Sequence, residues 1–336
     1  MPIRIAINGF GRMGRLTFRN VFDDPAVEIV AINSRGSAAF YAHLLKYDSS
    51  YGVWDKNIQA EEGAIIVDGK KFPLLNEKED PASLPWDKLE VDVVVESTGV
   101  FKNKQDSMKH LEAGAKKVVV TTSIKDDDIT LIAGVNLEKY DSSKHQIIAA
   151  ASCTSNCLAL TFKPLHEKLK IIRGYFTTVH AFTNEQHLVD APHHKEDFRR
   201  ARAATESIIP TSTNAAGTIE KIYPEFKGKL NGMAMRVPVV LPSVLSLNLE
   251  FDQDVTAEQI NDILKKAASG SMKNNLDYSD QPLVSVDYRG NTHGAIIDGL
   301  STEVIDNRLV NIVAWYDNEW GYINQLTKVI KHVAKI

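Results

Sequence analysis

The first half of the chain alternates between short apolar runs and segments with helical periodicity. Four apolar runs, VEIVAINS, VDVVVEST, KKVVVTT and QIIAAAS, are bounded by polar or turn residues, which is typical of buried strands. The last three cover residues 91–98, 116–122 and 146–152. Segments with helical character, such as KNKQDSMKHLEAGA, lie between runs of this kind. Strands that alternate with helices predict a parallel, doubly wound sheet.

After Cys157 the pattern changes, because the apolar runs become longer and alternate with polar residues. The predicted strands are RGYFTTVHAF, NGMAMRVPVV, SVLSLNLEF, LVSVDYR, HGAIIDG and LVNIVAWYD. Consecutive alternating strands predict a mostly antiparallel sheet with one covered face. The segment TAEQINDILKKAASG interrupts them as a helix, with Thr256 as its N-cap and Gly270 as its stop.

A glycine-rich turn follows the first predicted strand. Gly9, Gly11 and Gly14 give the spacing G-x-G-x-x-G between IRIAIN and the amphipathic segment RLTFRNVF. These glycines permit a tight turn, close approach of the backbone to a pyrophosphate, and close packing of the helix. The helix N-terminus then faces the phosphate. An ordinary strand–helix turn is the alternative, but the place of the motif between strand and helix favours dinucleotide binding.

We therefore predict an α/β protein with two domains, since 336 residues exceed what one hydrophobic core usually supports. An N-terminal Rossmann dinucleotide-binding domain is placed at residues 1–152. The C-terminal helix, at 318–336, is expected to pack back on it. A mixed, mostly antiparallel α+β catalytic domain is placed at residues 153–317.

The end of the second strand bears on the choice of cofactor. An acidic residue at this point usually accepts hydrogen bonds from the adenosine ribose. This chain has Asn33, Ser34 and Arg35 instead. A carboxylate would repel a 2′-phosphate, whereas Ser34 and Arg35 could hydrogen-bond and pair with one. This favours NADP slightly over NAD; in the alternative, Arg35 is a solvated loop charge and NAD is held by other groups.

Composition limits the classes of protein to which the chain could belong. Hydrophobic residues make up 43% and charged residues 24%, and the formal net charge is −4, which gives no nucleic-acid footprint. We expect no membrane segment, because no apolar run is long enough to cross a bilayer. The N-terminus has no signal-peptide pattern, and two cysteines in a long chain favour a reducing compartment. The expected location is the cytoplasm.

Both cysteines lie in the stretch ASCTSNC, four residues apart. A zinc site would need further ligands close by, and a disulfide at this spacing on a helix has poor geometry, so we expect no metal. One cysteine as nucleophile and one as packing is the interpretation left, although an inert core thiol is the commoner fate of a cysteine. The hydroxyls and the amide around Cys153 favour anion binding. A predicted helix begins here, and its dipole should lower the thiol pKa.

His180 and Arg236 are further candidates whose roles the residues alone leave open. His180 lies in the strand TTVHAFT, where a histidine is more often structural than catalytic. Arg236 falls inside an apolar strand, where a charge is costly without a partner. That partner is either an anionic substrate group or a structural carboxylate.

Several motifs in a fixed order resemble one family across essentially the whole chain. INGFGRMGR, ASCTSNC, TTVHAFT, RRARAATESIIPTST, GKLNGMAMRVP and WYDNEWGY resemble phosphorylating glyceraldehyde-3-phosphate dehydrogenase. The resemblance implies that Cys153 attacks the aldehyde and that His180 acts as the base. It also implies that hydride transfer to NAD(P) gives a thioester, which inorganic phosphate cleaves. Cys157 corresponds to a structural cysteine, and a homotetramer is implied.

The resemblance also assigns binding residues. Thr183 and Arg236 correspond to binders of the substrate C3 phosphate, and Arg200 lies between the two anion sites. Asn318 corresponds to the residue that fixes the nicotinamide carboxamide. The residues expected at the attacking-phosphate site are Ser152, Thr154, Thr213 and Asn214. The residues expected to bind the cofactor, from the motif, the strand ends and the resemblance together, are Gly9, Phe10, Gly11, Arg12, Met13, Gly14, Ser34, Arg35, Lys78, Thr98, Thr121, Asn318 and Tyr322.

Departures from the family pattern keep two alternatives open. Ser155 replaces a threonine and keeps a hydroxyl, whereas Asn214 stands where a glycine is usual. If that backbone has a positive φ, asparagine is the least costly replacement, but its side chain could crowd phosphate. In the loop near residues 192–199, Ala191 resembles NADP-using members and Pro192 NAD-using ones. The alternatives are erythrose-4-phosphate dehydrogenase, in which water cleaves the thioester, and a non-catalytic binding protein of the same fold.

Overall fold

The computed structural model describes residues 1–77 and 79–335, which group into two units. The first unit consists of Met1–Ala151 and the chain from Leu326 onward. The second unit is Ser152–Gln325. The sequence predicts this division at 152/153 and at 317/318.

The first unit carries the alternation of strands and helices that the sequence predicts. Its helices are α1 (Arg12–Val21), α2 (Ala38–Lys46) and α3 (Lys104–Glu112). Its strands are β1 (Ile3–Asn8), β2 (Val27–Asn33), β3 (Tyr47–Asp48), β4 (Gly52–Val53), β5 (Ile58–Glu61), β6 (Ala64–Val67), β7 (Lys70–Leu75), β8 (Val93–Glu96), β9 (Lys117–Val120), β10 (Ile129–Thr130) and β11 (Ile147–Ala149).

Among the described residues, the main sheet of this unit has the order β10-β11-β9-β8-β1-β2-β7-β6-β5. The pairs from β10 to β7 are parallel, as predicted. The chain leaves β1 towards β2 on one side and later returns to β8 on the other. In such sheets ligands bind beyond the carboxyl ends of the strands at this switch point.

Strands β5, β6 and β7 form an antiparallel edge that the strand prediction did not include. A signal for it is present, because an Asp-Gly turn separates β6 from β7. Asp68 and Gly69 have φ values of 48° and 79°, the conformation that a two-residue hairpin turn requires.

The second unit contains the long strands predicted after Cys157. Its strands are β12 (Ile171–Ala181), β13 (Ile209–Thr211), β14 (Leu230–Val237), β15 (Ser243–Phe251), β16 (Leu276–Ser279), β17 (Ala295–Ile305) and β18 (Leu309–Tyr316). Its helices are α4 (Cys153–Lys168), α5 (Ala215–Ile222), α6 (Ala257–Ser269) and α7 (Trp320–Val333), the last of which ends within the first unit.

The sheet of the second unit is mixed and mostly antiparallel, which confirms the predicted class. Within the described chain its order is β13-β14-β12-β15-β18-β17-β16, with β12–β14 and β16–β17 parallel. The prediction of a strand at LVSVDYR is wrong. A 3₁₀ turn, Ser285–Tyr288, stands there, and the carboxylate of Asp287 accepts from the backbone N–H of Val284 at 2.8 Å.

The last part of α7 makes its polar contacts within the first unit. Thr327 Oγ1 donates to Asn20 at 2.7 Å, and Tyr140 donates its hydroxyl to the carbonyl of Val333 at 3.1 Å. In the part of the chain that is described, no helix combines the length and apolar character needed to cross a membrane.

Candidate active site

The glycine turn between β1 and α1 has the geometry that the motif predicts. Gly9 has a φ of +96°, and a Cβ there would lie 2.5 Å from the backbone nitrogen of Thr98. A Cβ on Gly14 would collide with the carbonyl oxygen of Gly9. Gly11, the N-cap of α1, faces open space, so its backbone is accessible to a ligand. The residues present therefore fit a pyrophosphate at the N-terminus of α1.

A cavity of about 210 Å³ lies beside this turn, within the first unit. Gly9, Phe10 and Gly11 line one side, and Ser34 and Arg35, which follow β2, line another. Thr98 and Glu77 also line it. This is the place beyond β1 and β2 where a dinucleotide fold holds adenosine.

The hydroxyl of Ser34 is oriented differently from the expectation that it would contact a 2′-phosphate. Its proton goes to Tyr41 Oη at 2.7 Å, and its oxygen accepts from the backbone N–H of Phe10 at 3.2 Å. Towards the cavity Ser34 therefore offers a lone pair rather than a proton. Arg35, in contrast, is exposed.

A buried polar network underlies the same cavity, and sequence reasoning missed it. Glu96, at the end of β8, is 1% exposed and accepts from Asn8 Nδ2 at 2.5 Å and from the backbone N–H of Thr98 at 2.8 Å. Trp86 donates its indole N–H to His110 Nδ1 at 3.0 Å. Because indole only donates, the proton of neutral His110 lies on Nε2, 3.2 Å from Glu96 Oε2. A glutamate in the otherwise apolar VVVE was the available signal.

The remaining predicted cofactor residues of the first unit lie at its helix start and strand ends. Arg12 pairs with Asp48 at 2.6 Å, and Thr121 Oγ1 donates to the carbonyl of Glu96 at 3.1 Å. Met13 lies half-buried in the first turn of α1. Lys78 lies outside the described residues.

In the second unit, Cys153 begins α4 as predicted. Ser152 is the N-cap, and its Oγ accepts from the backbone N–H of Ser155 at 3.1 Å. Ala151, just before the cap, has a φ of +56°, a strained value for a residue with a Cβ. The Ser155 hydroxyl donates to Thr218 Oγ1 at 3.1 Å, so the departure at this position keeps a hydrogen-bonding role.

The structure brings Cys153, His180 and Arg236 together. Cys153 Sγ lies 3.4 Å from His180 Nε2. The parallel register of β12 and β14 places Arg236 directly opposite His180. A guanidinium nitrogen of Arg236 lies 2.6 Å from His180 Nδ1 and 3.2 Å from the carbonyl of Ala181.

The contact with Arg236 determines which nitrogen of His180 carries the proton. A guanidinium can only donate, so Nδ1 must accept, and the proton of the neutral ring then lies on Nε2, facing Cys153. In this form the ring can donate to a thiolate but cannot accept from a thiol. If Arg236 moved away, an Nδ1 proton could go to the carbonyl of Ala181, which is 2.6 Å from Nδ1, and Nε2 could then accept.

The pKa shifts at this site correct one prediction. Burial raises the pKa of the Cys153 thiol, although the charge of Arg236 and hydrogen bonds from Thr154 lower it. The backbone N–H groups of Cys153 and Thr154 at the helix N-terminus do lower the thiol pKa, but burial outweighs them, so the net shift is opposite to the expected one. Burial, assisted by Arg236, lowers the pKa of His180 to about 3, so the ring is neutral.

The residues predicted to bind the C3 phosphate all carry donors. Thr183 donates both its N–H and its hydroxyl to Gln186 Oε1, at 2.9 and 3.1 Å. Arg200 pairs with Glu185 and Asp197, each at 3.0 Å. Among the described residues, the buried Nε of Arg236 has no hydrogen-bond partner. A buried unpaired cationic donor is the clearest sign of an anion site here.

The residues predicted at the attacking-phosphate site lie at the starts of α4 and α5. Thr213 Oγ1 accepts from the backbone N–H of Ala215 at 3.3 Å. Asn214 is the N-cap of α5 with a φ of −96°, so its backbone is unstrained and the positive-φ explanation does not apply. Thr154 Oγ1 lies 3.0 Å from Tyr316 Oη, a tyrosine whose contact the sequence analysis did not foresee.

Three other predicted residues of this unit are buried. Asn318 Oδ1 accepts from Ser243 Oγ at 3.0 Å, and Tyr322 is 4% exposed. Cys157 is fully buried, with its sulfur 3.9 Å from the carbonyl of Ala314. Neither cysteine is in a disulfide.

The arrangement around Cys153 suits covalent catalysis on a substrate that carries an anionic group. It brings together a thiol, a neighbouring imidazole and a half-buried guanidinium. The first unit supplies a separate nucleotide-binding turn. Together these features match a dehydrogenase that passes through a cysteine-bound intermediate.

Comparisons with known proteins agree with this interpretation. Residues 3–104 match the family model described as glyceraldehyde 3-phosphate dehydrogenase, NAD binding domain, and residues 152–318 match the model of the C-terminal domain. Glyceraldehyde-3-phosphate dehydrogenase 2 of Bacillus subtilis is 51% identical over 99% of this chain and 97% of its own length. The glyceraldehyde-3-phosphate dehydrogenase of Geobacillus stearothermophilus is 49% identical over 99% of both chains. The chain belongs to the glyceraldehyde-3-phosphate dehydrogenase family.

Proposed function

We propose that this chain oxidises D-glyceraldehyde 3-phosphate reversibly to 1,3-bisphosphoglycerate, with inorganic phosphate as co-substrate and a nicotinamide dinucleotide as hydride acceptor. The observation that carries the proposal is the 3.4 Å separation of Cys153 Sγ and His180 Nε2, with Arg236 beside the ring. The names of the relatives support the substrate.

Cys153 forms the covalent intermediate. Its sulfur attacks the aldehyde carbon while the thiol proton passes to His180, which then gives it to the carbonyl oxygen to form a thiohemiacetal. His180 then accepts the hydroxyl proton as hydride leaves the same carbon, which gives a thioester. The bound nicotinamide supplies the acceptor for that hydride. Attack by a phosphate oxygen breaks the carbon–sulfur bond, releases the acyl phosphate and returns the thiol.

Arg236 couples substrate binding to the state of the base. A substrate phosphate would draw the guanidinium towards itself and away from Nδ1 of His180, which lets Nδ1 donate to Ala181 and Nε2 accept from Cys153. Loss of the nearby positive charge also raises the pKa of His180 from its value of about 3, which makes the ring a stronger base. The base would therefore be prepared when substrate is present.

The roles of the other donors are those that the family resemblance implies. Thr183 would join Arg236 at the C3 phosphate. Ser152, Thr154, Thr213 and Asn214, at the starts of two helices, would bind the attacking phosphate, with Arg200 serving both anions. Asn318 and Tyr322 would hold and pack against the nicotinamide end of the cofactor.

For the cofactor we propose that NADP is accepted beside NAD. No carboxylate follows β2, and the exposed Arg35 at the cavity can pair with a 2′-phosphate. The first-unit residues that bind the cofactor would be Gly9, Phe10, Gly11, Arg12, Met13, Gly14, Ser34, Arg35, Lys78, Thr98 and Thr121.

We propose further that the chain works as a homotetramer in the cytoplasm. Large apolar side chains of residues 188–208 are exposed, including Phe198 at 89% and Val189 at 72%. An exposed apolar patch of this kind supports an interface between copies. Size-exclusion chromatography with light scattering tests the assembly, and a monomer at micromolar concentration would contradict it.

The deciding experiment measures initial rates with glyceraldehyde 3-phosphate and NAD or NADP, with and without phosphate. We expect reduction of the cofactor that depends on phosphate. Activity with erythrose 4-phosphate that ignores phosphate would favour the alternative in which water cleaves the thioester. Absence of turnover with either aldehyde and either cofactor would favour a binding protein of the same fold.

A further inference from the structure

A relay of hydroxyl groups follows β2 at the adenosine side of the nucleotide cavity. Ser34 Oγ donates to Tyr41 Oη at 2.7 Å, and Tyr41 Oη donates to the carbonyl oxygen of Arg35 at 2.8 Å. The backbone N–H of Phe10 donates to Ser34 Oγ at 3.2 Å. Ser34 and Arg35 line the cavity, whereas Tyr41 lies behind them on α2 and is 9% exposed.

The direction of this relay is set by its ends. A carbonyl oxygen only accepts, so the single proton of Tyr41 goes to Arg35, and Tyr41 can only accept from Ser34. Ser34 therefore gives its proton to Tyr41. One of its two lone pairs is occupied by Phe10, which leaves one lone pair for a ligand.

The remaining lone pair distinguishes the two forms of the adenosine ribose. The residue that follows the second strand of a dinucleotide fold faces the ribose 2′ position. A 2′-hydroxyl can donate to the lone pair of Ser34. A 2′-phosphate, which carries acceptor oxygens, would instead need a proton that Ser34 has already given away.

We propose that Tyr41 is a specificity-determining residue, which orients Ser34 as a hydrogen-bond acceptor and so favours a 2′-hydroxyl over a 2′-phosphate. The inference rests on the proposed function only in that the ligand is a nicotinamide dinucleotide. Tyr41 would not contact the ligand and would act on it through Ser34.

Three of the described residues that line the cavity carry a formal charge. Among the described residues that line it, Arg35 carries the positive charge, while Glu77 and Glu79 are acidic. Glu77 Oε1 accepts from the backbone N–H groups of Glu79 and Asp80, at 2.8 and 3.1 Å. Since Arg35 is opposed by two carboxylates, a proton from Ser34 would make a measurable difference to a phosphate there.

The replacement Tyr41→Phe removes the hydroxyl and keeps the ring. The ring packs edge-on against Phe10, with centroids 5.6 Å apart, and lies 3.0 Å from the place of a Cβ on Gly36, so phenylalanine preserves these contacts. Ser34 would then be able to donate towards the cavity. Tyr47→Phe, at an exposed tyrosine of the same unit, is the matched control.

The test is isothermal titration calorimetry of the full-length protein with 5′-AMP and 2′,5′-ADP, which report on the adenosine end alone, and then with NAD and NADP. We expect Tyr41→Phe to strengthen the binding of 2′,5′-ADP and NADP by about three- to tenfold. This is a part of what a charged hydrogen bond contributes. We expect 5′-AMP and NAD to change by less than about twofold, since the acceptor lone pair that they use remains. In Tyr47→Phe the ratio of the affinities for 2′,5′-ADP and 5′-AMP, and that for NADP and NAD, should not change.

Ser34→Ala supplies a second, independent test that involves no change in the core. If Ser34 is an acceptor, its loss weakens 5′-AMP more than 2′,5′-ADP, and Tyr41→Phe added to Ser34→Ala gives no gain for NADP. An unchanged ratio in Tyr41→Phe, or a larger loss for 2′,5′-ADP in Ser34→Ala, would overturn the inference. So would failure of the wild-type protein to bind any of the four nucleotides. Nucleotide binding without aldehyde oxidation would leave the inference standing and overturn the proposed reaction.

Discussion

The polar groups of the nucleotide cavity and those around Cys153 are satisfied to different degrees. Beneath the cavity, Glu96 accepts from Asn8, Thr98 and His110, and Trp86 fixes the tautomer of that histidine. Around Cys153, the buried Nε of Arg236 has no partner among the described residues. There, the same guanidinium also holds His180 in a form that cannot accept a proton from the thiol.

This difference distinguishes a rigid support beneath the nucleotide cavity, here called the platform, from the site around Cys153 where the reaction is proposed to occur. A network whose donors and acceptors are paired keeps its shape whether or not ligand is present. A buried donor without a partner costs about 1–3 kcal/mol, and this cost would be recovered if a substrate anion bound there as proposed. Substitutions in the first region should therefore reduce stability and cofactor affinity, and those in the second should reduce turnover.

The largest expected effect is that of Cys153→Ser. A hydroxyl with an ordinary pKa far above that of a thiol replaces the nucleophile, so we expect kcat to fall by at least about 10³-fold. Initial rates with glyceraldehyde 3-phosphate measure it. Cys157→Ala is the matched control, because that thiol is fully buried against the carbonyl of Ala314 and should affect stability instead. Equal losses of kcat in the two variants would contradict the assignment.

The next effect in size is that of Arg236→Leu on the choice of substrate. Loss of the charged donor should cost about 1.5–3 kcal/mol of transition-state stabilisation, as measured by kcat/KM for glyceraldehyde 3-phosphate. The cost for unphosphorylated glyceraldehyde should be much smaller. The control is Arg173→Leu on the same strand as His180, where the guanidinium is exposed and pairs with Glu250. Equal losses of kcat/KM for both aldehydes would show that Arg236 has a structural role.

The same variant should change the pH dependence of alkylation at Cys153. The positive charge of Arg236 lowers the pKa of this thiol against the rise caused by burial. Removing the charge therefore raises the thiol pKa, and the rise of the iodoacetamide reaction rate with pH should move to higher pH. A shift to lower pH would show that the guanidinium does not stabilise the thiolate.

The parts of the fold and site that sequence predicts are those with local signals. The glycine spacing, the start of α4 at Cys153 and the strands that carry His180 and Arg236 each leave a pattern within a few residues. The strand at LVSVDYR failed because its alternation imitates a half-buried strand, whereas Val284 and Val286 are 60% and 55% exposed. Nothing in a local pattern reveals which side of such a segment is covered.

The parts that sequence does not predict depend on contacts between distant residues. Asn8 and Glu96 are 88 positions apart, and Cys153 and His180 are 27 apart. The direction of the Ser34 proton depends on Tyr41, which no motif marks. Burial also raises the thiol pKa by more than the helix N-terminus lowers it, and burial is a property of the folded surroundings.

A smaller effect is expected for Glu96→Gln, which tests the platform. An amide places a donor where the carboxylate accepts from Asn8, Thr98 and His110, so the protein should lose about 1–3 kcal/mol of unfolding free energy. NAD should also bind more weakly. Urea unfolding and calorimetry measure the two, with the exposed Glu112→Gln as control. Unchanged stability together with lost turnover would contradict the proposed difference between the nucleotide cavity and the region around Cys153.

The smallest expected effect concerns Asn214, at the start of α5. Asparagine usually caps a helix through its side chain, but no such bond is present here, whereas Thr256 Oγ1 accepts from the backbone N–H of Gln259 at 3.2 Å in α6. Replacing a working cap by alanine costs roughly 1 kcal/mol. We therefore expect Thr256→Ala to lose about that much unfolding free energy in urea, and Asn214→Ala less than about 0.5 kcal/mol.

Asn214→Ala should instead raise the KM for phosphate if the amide faces the attacking anion. A stability loss equal to that of Thr256→Ala, with KM unchanged, would mean that Asn214 is only a helix cap. The attacking-phosphate site would then rest on Thr213 and the start of α4. The amide of Asn214 would in that case no longer belong with the buried Nε of Arg236 among the donors that are proposed to bind an anion.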